Sequence, residues 1–404
     1  MARQVQCIET HSVEIVDRGG GPRLLRLPKV SKVKWGRKRS AKASAEIVVP
    51  AFACEENVAE LGSIRSRRHE VVIWRGATRV FEGPIIDLQW TATGLTIRAN
   101  DIFEYLDGDV LAKDWPHPSG ETSANMLQRV KSILQFELTE PYQAMVDTGS
   151  GVGAQIVTVP RWERLDPPIN LLPYLEVREG SVITRSSTTP FEMKIGEHLN
   201  DLAESGMDYT TIGRKLIFWD SADAIGRTRV LTEADFVGDP DVYESGTDYA
   251  AIVHVTATAT EKGEEVDDPD TELIFVGSSG AAHDYYGIWA HLATSQSETG
   301  EDGPSQSALI SQAYRQLLGR REIPVELRMP SNVSLVLSDT LTINELVPGV
   351  EMPVRATMNF REVSQLQVLD TLEVTEDGSG EIISVTLSPR GELTEVAPED
   401  GKGG

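Results

Sequence analysis

Seven histidines and two cysteines are the scarcest reactive side chains of this 404-residue chain, and their placement bounds the chemistry it can support. Cys7 and Cys54 match no redox or zinc spacing, and two thiols alone build no metal cluster, so both read as small buried hydrophobes. His283, Asp284 and His291 form the densest histidine group, but no nucleophile stands beside them, which favours a structural or surface role over catalysis. The run Glu264, Glu265, Asp267, Asp268, Asp270 and Glu272 could offer oxygens to calcium. Pro269 falls where an EF-hand loop needs its turn glycine, so the run reads as a solvated acidic loop. The segment Gly149-Ser150-Gly151-Val152-Gly153 follows no clear strand and opens no helix, which makes it a flexible loop and not a phosphate cradle. Tyr285, Tyr286 and Trp289 could stack on a sugar ring; the alternative, taken here, is that they pack a β-unit against a neighbouring helix.

Nucleophile elbows, P-loops and zinc-protease helices are missing from the sequence. A glycosidase would need two carboxylates at a set separation, and in a chain this acidic no pair can be singled out. The expectation is a protein that is not an enzyme, with no catalytic residue, no cofactor and no metal ligand set, whose function is its surface.

Hydrophobic residues make up 40% and charged residues 25%, values of an ordinary globular chain with ample core for two to four domains. No apolar run reaches the length of a membrane span, and Met1 to Ile15 lacks the apolar stretch of a signal peptide, so no membrane insertion and synthesis in a cytoplasm are expected. The net charge of -24 argues against a nucleic-acid reader. Its distribution is uneven: residues 1 to 98 hold 17 Lys and Arg against 10 Asp and Glu, and the rest of the chain carries the acidic excess.

The elements that must position these residues are mostly strands. Residues 1 to 107 read as an all-β unit: Val13 and Ile15 alternate with polar neighbours, Ser44 to Val49 is β-branched and ends at Pro50, and Glu70 to Trp74 leads into Arg79 to Phe81. After Gly83-Pro84, Ile85 to Trp90 returns into Leu95 to Ala99. Residues 108 to 205 read as a middle α+β insertion. Met126, Val130, Ile133 and Leu134 predict a helix over 123–137 capped by Ser123, and Ile195, Leu199 and Leu202 predict another over 191–204 stopped at Gly206. Residues 206 to 391 return to β, with strands at Lys215 to Trp219, Ala250 to Ala257 and Leu273 to Val276, and a helix over Ser305 to Leu318. Leu372 and Val374 enter the turn Glu376 to Gly380, and Ile383, Val385 and Leu387 return from it. Residues 392 to 404 read as a solvated tail. The fold class is mainly β with a helix-bearing insertion.

Val33-Lys34-Trp35-Gly36-Arg37, Ser44 to Val49, Glu70 to Arg75, Phe81-Glu82-Gly83-Pro84-Ile85 and Ile97 to Asp101 with Tyr105-Leu106 resemble the opening domain of minor tail proteins, of the tail-hub (baseplate hub) family, from long-tailed phages of actinobacteria. The resemblance resumes at Tyr209 to Leu216, at Leu231-Thr232 with Asp235-Phe236, at Leu346-Val347-Pro348-Gly349 and at Ile383 to Pro389. Trp35, Gly36, Gly83, Pro84, Pro348 and Gly349 are its structural motif residues. Gly83-Pro84 is expected to break a strand at a barrel corner, and Pro348-Gly349 to make a tight turn.

The resemblance implies two tail-tube-like β-barrel or sandwich domains around the middle domain, and a homotrimer forming a pseudo-sixfold ring in the virion's tail tip. It implies as partners the distal tail protein and tail tube, the tape measure protein, and tip or fibre proteins, with DNA passing through and not specifically bound. On this reading Lys34, Arg37, Lys38, Arg39 and Lys42 should point away from the channel toward acidic partner surfaces, and acidic side chains of the later β-unit should face the channel. Two alternatives from other classes are a tail-associated cell-wall hydrolase and a carbohydrate-binding host adhesin.

Overall fold

The computed structural model describes residues 8, 10–27, 29–116, 124–147, 154–184, 187–258, 271–277, 284–294, 317, 320, 325–330, 333–358 and 361–395. The protein is mainly β and divides into two compact units, one of Met1–Pro240 with Met329–Gly404 and one of Asp241–Arg328. No helix among the described residues is long and apolar enough to cross a membrane.

The larger unit begins with β1 (His11–Asp17), β2 (Arg23–Arg26), β3 (Lys32–Lys38) and β4 (Ser44–Pro50). In β3 the period-two pattern sends Val33, Trp35 and Arg37 into the core and leaves Lys32, Lys34 and Lys38 on the other face. Two six-residue helices follow, α1 (Ala51–Glu56) and α2 (Val58–Ser63). They are too short to show a period in sequence, and the sequence reading placed no helix there.

Next come β5 (His69–Arg75), β6 (Thr78–Thr91) and β7 (Gly94–Asn100). β6 is continuous through Gly83-Pro84 and changes partner there: Glu70 of β5 faces Pro84, whereas Ile85 faces Ala99 of β7. A β-carbon at Gly83 would lie 1.9 Å from the Asn100 carbonyl oxygen, so the two backbones can approach only at a glycine.

The insertion holds α3 (Met126–Thr139), a two-stranded ribbon of β8 (Tyr142–Asp147) and β9 (Ala154–Val159), and α4 (Ile195–Glu204). Asn125 caps α3 by accepting from the Gln128 N–H at 3.0 Å; Ser123, the expected cap, lies outside the described residues. α4 starts four residues later than its periodicity suggests, because Phe191 sits at φ +66° and its N–H bonds the Leu111 carbonyl at 2.7 Å. The helices pack with the hairpin of β10 (Met207–Ile212) and β11 (Lys215–Asp220), where Phe103 stacks on Tyr209 at 4.5 Å between ring centres.

The chain re-enters this unit with β12 (Val333–Leu335), β13 (Val350–Met358), β14 (Arg361–Asp377) and β15 (Gly380–Glu395). One sheet runs in the order β12, β15, β14, β3, β4, β7, β6, β5, β1, β2. β14 pairs with β3 from Thr371↔Lys38 to Asp377↔Lys32, so strands from the two ends of the sequence share one hydrogen-bond ladder. The hairpin at Asp377–Gly380 falls where the sequence pattern puts it, with Gly380 at φ +120°. β15 continues to Glu395, paired with Val363, so residues 392–395 of the expected tail are strand; the others lie outside the described residues.

The smaller unit has a three-stranded sheet, Ile252–Thr258 flanked by Thr271–Gly277 and Ala290–Thr294, and a strand pair of Asp241–Glu244 with Val325–Arg328. Of the helix expected over 305–318, only Leu317 is described; it is helical and buried. The glycine-rich segment 149–153, His283 and the acidic residues 264–270 lie outside the described residues.

Candidate functional site

The broad face of the main sheet opposite the core is one candidate for function. Its cross-strand row reads Thr375, Lys34, Glu46, Arg98, Asp87 through β14, β3, β4, β7 and β6. Cation and carboxylate alternate along that row. Lys34 reaches Glu373 at 2.8 Å, Lys32 reaches Glu46 at 3.1 Å and Arg98 reaches Glu46 at 3.4 Å. All five side chains are 32% to 47% exposed, so the pairs are screened. Lys32, Lys34, Lys38 and Arg98 are matched by Glu46, Asp87, Glu373 and Asp377, and the face carries no acidic excess.

The cations expected to reach out to partners are mostly engaged within the chain. Arg37 is fully buried, donating to the carbonyls of Ile343 at 3.2 Å and Leu346 at 2.9 Å beneath the Trp35 ring. It shares the parity of Val33 and Trp35, which put it on the core face; that parity was the overlooked signal. Burial pulls its guanidinium down to about 10. Arg39 bonds Asp208 and Asp370, and Lys42 bonds Glu104 and Asp107 at 2.6 Å each. Lys38 is exposed.

Trp35 and Gly36 lie at the β3–β14 junction. The Trp35 indole N–H donates to His11 Nε2 at 3.0 Å, so His11 Nδ1 carries the proton it gives to Glu376 at 2.6 Å. Pro348 and Gly349 form the centre of a turn closed by the Val350 N–H on the Val347 carbonyl at 3.0 Å, with Gly349 at φ +91°. This is a type II turn, which needs glycine at that position. A β-carbon on Gly349 would meet the Trp219 ring at 2.3 Å. Arg37 brings the Trp35 strand and the segment before Pro348 together, whereas Gly83 and Pro84 lie apart from them at the β6 corner.

Beside that corner is a buried ionic node absent from the sequence reading. Arg214 Nη1 lies 2.9 Å from Glu70 and 2.7 Å from Glu82, and all three side chains are at most 3% exposed. Glu70 also accepts from Tyr105 and from the Gly19 and Gly20 N–H groups. A second buried cluster in the insertion joins Arg161 to Glu137 and to Asp109. Arg79 pairs with Glu82 three positions on, but the partners of Arg214 and Arg161 are more than 20 positions away, where no local pattern flags them.

A cleft of about 590 Å³, lined among others by Lys42, Arg67, Glu104, Asp107, Trp162 and Glu197, has the aromatic wall and carboxylates of a sugar-cleaving site. Its chemistry is otherwise. Burial would raise the Glu104 carboxyl, but hydrogen bonds from Lys42, Asn100 and Arg67 hold it below its ordinary range, so it is no general acid. Asp101, which burial pushes up to about 6, is 1% exposed and tied to the Ala43 and Phe103 N–H groups and the Thr211 hydroxyl. Asp101 does not line the cleft, and the carboxylates that do are Glu104, Asp107 and Glu197. Cys54 is half-buried and burial raises its thiol, which is the setting of an inert cysteine. No group of three metal-ligating side chains is found among the described residues.

Tyr285 and Trp289 depart from expectation. They are 82% and 61% exposed instead of packed against a helix; Tyr286, 40% exposed, contacts Tyr249 and Tyr285 edge-on or tilted. Asp284 is exposed and His291 half-buried in its strand.

No protein family matches the sequence, and no curated protein does. Solved structures are similar over nearly the whole chain. The prophage MuSo2 43 kDa tail protein from Shewanella oneidensis is 12% identical, with a TM-score of 0.51, over 93% of this chain and 97% of its own. The tail protein from Neisseria meningitidis MC58 is 11% identical, with a TM-score of 0.52, over 95% and 97%. At such identity the likeness establishes a fold shared with these two proteins.

Proposed function

We propose that the chain is a structural subunit of a phage tail, and within it a tail-tip hub subunit of a long-tailed phage, as the resemblance to actinobacteriophage proteins implies. It forms a homotrimeric ring around the DNA channel and links the tail tube and distal tail protein to tip or fibre proteins, with the tape measure protein in the channel. The observation that carries this reading is the antiparallel sheet in which β3 and β14 splice the two ends of the chain, together with its fold likeness to tail proteins. A broad sheet with one polar, charge-balanced face suits a channel wall past which a polyanion slides. Balanced pairs, and not an acidic excess, supply the low affinity for phosphate on that face. Imaging of purified protein, alone and with its distal tail partner, tests the reading: hollow threefold rings are expected, and a strict monomer in both cases overturns it.

One observation favours a second reading as an adhesin. The exposed faces of Tyr285 and Trp289 are open to a flat ring ligand. Binding of host cell-wall glycans by the isolated protein, abolished by Trp289→Ala, would move this reading ahead. The hydrolase reading has the cleft against it, because Glu104 and Asp107 are both tied to Lys42. Purified protein should leave cell walls intact.

A further inference from the structure

The β8–β9 ribbon, like the two-residue pair of Ala124–Asn125 with Ile183–Thr184, pairs with nothing but itself among the described strands. A two-stranded hairpin is marginal in water on its own. This one displays Met145 and Ile156 directly opposite each other, 73% and 68% exposed. Its base is firmly held: Arg161 stacks on the Tyr142 ring at 4.6 Å and donates to the Glu140 carbonyl at 3.0 Å, and Tyr142 lies against Phe191. A rigidly mounted ribbon presenting an apolar pair is pre-organised for docking.

The same unit has an unguarded sheet edge. Residues Asp87 to Thr91 of β6 pair with β7 on one side and with no described strand on the other. Elsewhere in this sheet the edge strand β2 carries the usual deterrents, Arg23 and Arg26, and β15 carries Pro389. Asp87, Leu88, Gln89, Trp90 and Thr91 include one charge and no proline. Trp90 is 51% exposed although its cross-strand neighbour Leu95 is fully buried, so it ends the apolar face without a cover.

We propose that the β8–β9 ribbon of one copy adds to the free Asp87–Thr91 edge of a second copy, with Met145 and Ile156 closing over Trp90. Ribbon and edge are different surfaces, so the contact is heterologous and repeats around a ring until it closes. Backbone hydrogen bonds supply the pairing and the three apolar side chains supply register. The inference rests on the homotrimer reading and names the surfaces that assemble it.

The experiment compares self-association of the wild-type chain with that of Met145→Asp/Ile156→Asp and Trp90→Asp by sedimentation. These side chains are exposed, so circular dichroism and melting should stay unchanged while association weakens about tenfold or more, as loss of apolar anchors does. In a background with Cys7 and Cys54 replaced by serine, mixing Trp90→Cys with Ile156→Cys should give a disulfide between chains. Rings that persist in the aspartate variants with no such cross-link overturn the ribbon contact and leave the hub reading standing. A wild-type chain that stays monomeric at every concentration overturns the ribbon contact and also counts against the homotrimer.

Discussion

The Arg214 node and the outer-face ladder use the same chemistry in opposite surroundings. Arg214 sits 2.7 Å from Glu82 and Lys34 sits 2.8 Å from Glu373, yet the first pair is dry and the second is more than 40% exposed on both sides. In the dry node Glu70 depends on Arg214 and Glu82 shares it with Arg79, and the node fastens β5, β6 and the β10–β11 turn together. In the wet ladder water and salt can replace either partner, so the pairs set the charge of a surface and contribute little to folding. Distance alone does not rank ion pairs; desolvation does.

The largest effect should come from Arg214→Met. It strands Glu70 without a cation and leaves Glu82 only the exposed Arg79, and denaturant unfolding should show a loss of about 3–5 kcal/mol. A loss under about 1 kcal/mol would mean the node is far wetter than its burial indicates.

Asp101 sharpens the contrast, because it is buried with hydrogen bonds but no salt bridge among the described residues. Its folded pKa, about 6, stands above the ordinary 3.8, so the folded state holds the proton more tightly. Its contribution to stability is complete below the ordinary value and is lost as pH rises through about 6. The loss is on the order of 3 kcal/mol at most. Unfolding followed across that window should show this decline in the wild type and a flatter profile in Asp101→Asn.

Trp35→Phe keeps an aromatic ring and deletes one donor. With His11 Nε2 left without that bond in a buried site, a cost of about 1–3 kcal/mol is expected from thermal melts at constant pH. A neutral result would separate packing of the indole from its hydrogen bond.

The smallest effect belongs to Lys34→Gln on the wet ladder. Stability should change by about 0.5 kcal/mol or less, and the difference should vanish in high salt. A larger change would show that the outer face is covered in the free protein.

Much of the fold was legible locally. Period-two alternation located β1, β7 and the β14–β15 hairpin, the β-branched run before Pro50 located β4, and Pro348-Gly349 announced its turn, because these patterns depend on neighbours a few residues apart. The start of α4 was misjudged because Phe191 is recruited by Leu111, a partner eighty positions away. Aromatic content predicts burial on average, and nothing in the sequence says that Tyr285 and Trp289 are rings left outside.

The sequence by itself determined that the chain is mainly β and globular, that it carries an acidic excess after a mildly basic first quarter, and that it lacks local catalytic motifs. Those properties are sums over residues or short-range patterns. Only the tertiary structure decided which charges are buried, that β3 and β14 share one ladder, and that Glu104 is bound to cations while burial raises the Asp101 carboxyl to about 6. Each of these is a matter of which distant segments exclude water from one another, and desolvation is a property of the assembled fold that no stretch of chain possesses alone.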